Sequence, residues 1–228
     1  MLLSGGMTTP SGETVSDPAA FVRAHTHLRT VPSVPGIRLH LADDVYALWE
    51  RTPSDAGGRD VGLPFWAFVW PGGVGLARFV LDHPQIVAGR SVCDVATGSG
   101  LVAVAAARAG AASVTAVDLD AYALAAVTLN AVANGVDVTV RCGDALTGSG
   151  GRHEVTLVGD AFYDAQIADR ALRCIDRAHA AGGRVLVGDP GRAHLPRSRL
   201  RPVAAYDVPG TGHLEASDVT PTRVWEPV

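Results

Sequence analysis

From Ser91 onward, short apolar runs alternate with longer segments of helical character. SVCDVA (91–96), SVTAVDL (113–119), VDVTVRC (136–142), EVTLVGD (154–160) and RVLVGD (184–189) read as strands. The segments 100–110, 121–135 and 164–181 read as helices ended by Gly110, Asn134-Gly135 and Gly182-Gly183, since glycine accepts the left-handed residue that stops a helix. Upstream, Asp17-Pro18 predicts an N-cap followed by proline at N1, opening a short helix over 18–30. Residues 36–50 read as a strand followed by a short turn or helix, 52–63 as a loop, and 74–83 as a helix. Between the last two lies the apolar segment PFWAFVWPGG, 64–73. Two runs close the chain, RPVAAYDV and PTRVWEPV, the second predicted as an edge strand with Trp225 in packing.

Strands alternating with helices imply βαβ units, hence a mostly parallel sheet with helices on both faces. Two final strands without a helix between them imply an antiparallel C-terminal pair. The expected fold is therefore α/β and Rossmann-like. The expected organisation is a disordered tail over 1–17, an N-terminal segment over 18–90 that carries PFWAFVWPGG, and the main domain over 91–228.

Composition narrows the class. The 228 residues are 47% hydrophobic and 18% charged, with mean hydropathy +0.19, which excludes a disordered chain and allows a sizeable core. A net charge of −4 argues against a nucleic-acid-coating surface. Cys93, Cys142 and Cys174 are far apart and show no metal-ligand spacing, so neither a metal site nor a disulfide framework is expected and a reducing cytoplasm fits. No apolar run is long enough to span a membrane, and the start lacks a signal-peptide pattern; Met7 is an alternative start. All 19 basic residues are arginine and none is lysine. Compositional bias accounts for that, as does avoidance of amines by a protein whose chemistry consumes them.

The richest local signal is VCDVATGSG, 92–100. A strand ends, a glycine turn follows, and a helix opens. Gly98 and Gly100 allow close backbone approach to a ligand at a helix N-terminus. Asp118 ends the next strand, where a carboxylate can take both hydroxyls of a ribose; the plain alternative is a tight turn beside a solvated acid. Gly98 to Ala103 also fits the dinucleotide pattern GxGxxA. Asp94, inside the first strand, argues instead for a ligand with positive groups, such as S-adenosylmethionine. Asp144 is placed either to accept from an adenine amino group or to cap a turn. With Asp160 at the end of the fourth strand, four acids line the carboxyl edge of the sheet, where ligands of open parallel sheets bind.

These residues carry a family resemblance. DxAxGxG over Asp94–Gly100, with Asp118, resembles the first motif and following acid of seven-stranded, class I S-adenosylmethionine-dependent methyltransferases. PFWAFVWPGG, GDAFYD (159–164) and VLVGDPGR (185–192) make the chain similar, from about Pro35 to its end, to the electron transfer flavoprotein β-subunit lysine methyltransferase family. The resemblance implies that Asp94, Gly98 and Gly100 line the methionine end of the cofactor. It implies that Asp118 holds the ribose, Asp144 the adenine edge, and that Trp70 packs or hydrogen-bonds at the cofactor. Asp160 and Tyr163 would face the target amine. Ala96 departs from the family, which has glycine there; its methyl group is tolerable if φ is negative and otherwise weakens binding.

In such a reaction the amine must lose its proton before an in-line attack on the methyl group. An apolar channel of Phe65, Trp66, Phe162 and Tyr163 would disfavour the ammonium form, and Asp160 would orient the amine. Core packing is the alternative for these aromatics. Asp164 is read as a helix cap. Arg192 is read either as a contact to an acidic patch on a partner or as part of a turn. The expectation is a cytoplasmic, monomeric protein-lysine methyltransferase acting on electron transfer flavoprotein β subunit, with no nucleic-acid or membrane partner. Another protein, such as a ribosomal protein, or a small amine is the nearest alternative substrate. A nicotinamide-nucleotide oxidoreductase and an inactive cofactor-binding module are the alternatives of other classes.

Overall fold

The computed structural model describes residues 17–52, 63–147, 151–210 and 218–228. The expected N-terminal tail and most of the expected 52–63 loop lie outside them. A seven-stranded sheet forms the centre, built from β3 (Ser91–Val95), β4 (Ser113–Asp118), β5 (Thr139–Cys142), β6 (Val155–Gly159), β7 (Arg184–Asp189), β8 (Leu200–Pro209) and β9 (Val219–Pro227). Its order is β5-β4-β3-β6-β7-β9-β8. The first five are parallel to one another, while β9 is antiparallel to both β7 and β8. This is the expected Rossmann-like sheet with an antiparallel C-terminal pair. One detail differs: β9 is not the edge strand, because it inserts between β7 and β8. Thr222, Val224 and Trp225 on β9 are buried, whereas half of β8 is exposed. A strand buried on both faces belongs inside a sheet.

Side chains alternate across the strands, as the two-residue period demands. Val92, Ala116, Leu157 and Leu186 face one core with helices α3 (Pro71–Asp82) and α4 (Leu101–Arg108). Cys93, Val95, Val117 and Val187 face the other core with α6 (Ala165–Ala180). The reversal of strand order between β3 and β6 opens a crevice at their carboxyl ends, the place where such sheets bind ligands.

The N-terminal segment corrects one expectation. Helix α1 (Pro18–His25) stops early, and β1 (His27–Thr30) pairs antiparallel with β2 (Arg38–Leu41) where the helix was expected to continue to residue 30. Thr26 breaks the helix in an extended conformation, its hydroxyl spent on Val22 O at 2.6 Å. Helix α2 (Val45–Trp49) follows. This segment packs on α5 (Ala121–Ala133) through Phe21, Val22, Leu48, Trp66, Tyr122 and Ala126. Two amides, one on α5 and one at its C-cap, fasten it. Asn134 accepts from Arg38 N at 3.0 Å, and Asn130 accepts from His40 N at 2.7 Å. Asn130 also donates to Ser99 O at 2.9 Å. One fully buried amide thus ties β2 to the glycine turn.

Candidate active site

The turn after β3 is organised by Asp94. Its carboxylate is buried and accepts from Thr97 Oγ1 at 2.5 Å and from Ala103 N at 3.0 Å. Gly100 precedes α4 without a side-chain cap, so Asp94 satisfies an otherwise orphaned N–H of the first helical turn. Burial pushes its carboxyl up to about 7. Asp94 therefore braces the loop from beneath, and does not line the open crevice as the sequence suggested.

Gly98 and Gly100 take positive φ of 52° and 77°. A Cβ on Gly98 would meet nothing closer than Trp66 Cα at 3.9 Å, so space stays open above the turn. Ala96 also has positive φ, 53°, with an exposed side chain. The condition under which its methyl group costs nothing is not met, because L-residues other than glycine resist that region.

Asp118 faces this turn. It accepts from Gly98 N at 2.9 Å and from Asp120 N at 3.1 Å, and burial raises its pKa. Asp120, capping α5 through Tyr122 N at 2.8 Å, is pushed up to about 6 by burial. Leu119 between them is 62% exposed and offers an apolar face at the crevice. Asp144 is already engaged: it pairs with Arg170 and accepts from Leu146 N at 3.1 Å.

The other side of the crevice is built by α3 and the turns after β6 and β7. Gly159 and Gly188 are register partners, and the first turn of α3 lies directly on them. A Cβ on Gly72 would come within 2.3 Å of Gly188 O and 2.6 Å of Asp160 Oδ2. Only glycine permits that approach. It lets Gly73 N donate to Asp160 Oδ2 at 2.7 Å. Asp160 Oδ1 accepts from Arg192 Nη2 at 2.9 Å and Nε at 3.3 Å. Asp160 itself has φ of 51°. Burial pushes its carboxyl up to about 6 despite the opposing pull of Arg192.

The expected aromatic channel divides in two. Phe65 and Tyr163 are exposed at the rim, 41% and 49%, with ring centroids 5.9 Å apart. Trp70 packs edge-on against Phe65 at 5.5 Å and donates to Phe65 O at 3.0 Å. The Arg192 guanidinium lies over the Trp70 ring at 5.9 Å. Trp66 and Phe162 are buried in separate cores and cannot line an open channel. Asp164 caps α6 through Gln166 N and Ile167 N. Asn130, Gly72 and the Arg192–Asp160 pair were not singled out from the sequence as site-forming. The recurrence of Val-Gly-Asp at the ends of β6 and β7 is the signal that points to the close helix contact.

The crevice fits a nucleoside carrying a positively charged amino-acid end. It combines a glycine turn with open space, a half-buried acid at the ribose position and an acid-lined wall. Trp66 meets this turn only through its Cα, 3.9 Å from a Cβ built on Gly98, while its indole stays in the core. No group of three or more metal-ligating side chains occurs among the described residues.

Comparison with known proteins agrees with this geometry. The family model "Ribosomal protein L11 methyltransferase (PrmA)" matches residues 79–155. The electron transfer flavoprotein beta subunit lysine methyltransferase of Xenopus laevis is 37% identical over 224 residues, 95% of this chain and 89% of that protein. Its human counterpart is 32% identical, covering 90% of this chain and 80% of that protein. The fold matches magnesium protoporphyrin IX methyltransferase from Synechocystis with bound SAM, at TM-score 0.51 and 13% identity over 68% of this chain and 78% of that one.

Proposed function

The chain belongs to the electron transfer flavoprotein beta subunit lysine methyltransferase family and is an S-adenosylmethionine-dependent protein-lysine methyltransferase, and we propose that its own substrate is the β subunit of an electron transfer flavoprotein. The likeness to relatives of that name over nearly the whole chain supports this reading. The single observation that carries the site assignment is the pairing, across one crevice, of the Asp118–Gly98 turn with the Asp160–Tyr163 turn. The proposal includes a monomeric, cytoplasmic enzyme.

The cofactor, when bound, supplies an activated methyl group on a sulfonium. The chain's residues do the rest. Gly98, Gly100 and Asp118 hold the nucleoside end, with Asp94 keeping their turn rigid. Asp144 lies at the adenine side, where Arg170 already compensates its charge. Phe65, Trp70 and Tyr163 frame the entrance for a lysine stem and exclude water from its head. A lysine amine has a pKa near 10.4 in water, so dehydration favours the neutral form that attacks. Asp160 accepts a hydrogen bond from that amine and orients it; positioning of this kind supplies much of the acceleration.

The test is incubation with labelled S-adenosylmethionine and, separately, electron transfer flavoprotein and ribosomal protein L11. Label on lysine of the flavoprotein β subunit is expected. Label on L11 alone replaces the substrate assignment. The chain contains no lysine, so lysine-borne label reports the substrate without background.

A further inference from the structure

Arg192 is directed inward, at the acid assigned to the acceptor amine. Both Nε and Nη2 reach Asp160 Oδ1, and its cation lies over Trp70. The turn that presents it is fixed by hydrogen bonds. Asp189 Oδ1 accepts from Arg192 N at 2.8 Å and Gly191 N at 2.7 Å, and Arg197 donates to Gly191 O at 3.0 Å. Asp189 is itself fully buried. The Asp160 side chain is only 10% exposed and that of Arg192 24%, so little water screens the pair.

A bare carboxylate beside a lysine stabilises the ammonium, the form that cannot attack. A carboxylate already neutralised by a fixed guanidinium keeps lone pairs for a hydrogen bond yet offers little net charge. We propose that Arg192 is a positioning residue that cancels the charge of Asp160, so that Asp160 orients the substrate amine without holding it as ammonium. This rests on the lysine methyltransferase reading above. The groups facing Asp160 include one opposing acid, Asp189, whose own charge is also met by Arg197. Arg192 and Asp189 approach from β7 and its turn, the Gly73 N–H from the start of α3, and Tyr163 and Asp164 belong to the Asp160 loop itself. Arg192 is the cation bonded to the Asp160 carboxylate among the described residues.

The experiment compares the full chain with its Arg192→Gln and Arg192→Lys variants. Steady-state kcat and KM for the protein substrate are measured from about pH 6.5 to 10, a range reaching the lysine value. The Asp160 carboxyl is titrated by carbon NMR in the free proteins, with Asp160→Asn supplying the assignment. In Arg192→Gln the acid limb of kcat is expected to move up by about one unit, roughly tenfold slower turnover below it. KM is expected to stay level or fall, activity to recover at alkaline pH, and the Asp160 resonance to titrate at higher pH. Arg192→Lys retains a cation and moves each readout part-way, which serves if the glutamine variant folds poorly. Equal loss of kcat at every pH, or a raised KM with an unchanged profile, overturns the inference. An unmoved Asp160 resonance also overturns it, and that readout is independent of any substrate. Failure of the parent protein to label lysine overturns the functional reading instead.

Discussion

The two walls of the crevice hold their acids in opposite ways. On the β3–β4 side, Asp94 and Asp118 bond to Thr97, Gly98, Ala103 and Asp120, all on the turns after their strands or in the first turn of α4. On the β6–β7 side, Asp160 is held by Gly73 and Arg192, partners 87 and 32 residues away. The first wall is a local motif that folds around its own glycines. The second exists only when α3 lies on the ends of β6 and β7. The difference suggests a division of labour. In the function proposed above, the local wall receives the cofactor and the assembled wall the acceptor amine.

The sharpest way to break this comparison is Gly72→Ala. The added methyl group would overlap Gly188 O and Asp160 Oδ2, so a loss of about 3 kcal/mol in denaturant-measured stability is expected, with acceptor activity lost. A cost below about 1 kcal/mol would mean that the helix contact is loose and the assembled wall adaptable.

Asp118→Ala tests the local wall. S-adenosylmethionine affinity is expected to fall about 100-fold by calorimetry, near 2.7 kcal/mol. The thermal transition of the ligand-free protein should change little. Equal affinity in both proteins would remove Asp118 from the cofactor site.

A pH series compares the walls directly. Burial raises Asp94 to about 7 and Asp160 to about 6. A carboxyl raised above its unfolded value of about 4 takes up a proton on folding. It therefore favours the fold at low pH, and that advantage is lost as pH rises from about 4 towards 7. Ligand-free stability is thus expected to fall between about pH 5 and 7. Asp94→Asn should remove the largest single part of that slope, and Asp160→Asn and Asp120→Asn smaller parts. An unchanged slope in all three would contradict the proton uptake assigned to these acids.

The smallest effect is expected from Ala96→Gly. Relieving a left-handed alanine should stabilise the protein by about 1 kcal/mol and tighten cofactor binding slightly. A loss of stability would show that the turn tolerates Ala96 without strain.

How much of this was legible follows the same division. The parallel strands, most helix ends and the acids at the strand ends could be read from periodicity and glycine stops. The VCDVATGSG turn was legible because its chemistry is contiguous. Local preference predicts a helix over 18–30, but pairing between β1 and β2 overrides it beyond His25. Trp66 and Phe162 looked like site residues because they adjoin Phe65 and Tyr163 in the chain. Neighbours along the chain turn opposite ways, and only packing showed which side of each turn is buried.

The sequence by itself determined the sheet class, the glycine turn and its acid, because those depend on residues near one another. The tertiary structure alone decided that Asp94 faces inward, that Ala96 is left-handed, that β9 lies inside the sheet, and that Arg192 meets Asp160. Each of these is a contact or conformation imposed by distant segments. Charge pairing and burial act through space, and no spacing along the chain encodes which distant partner will arrive.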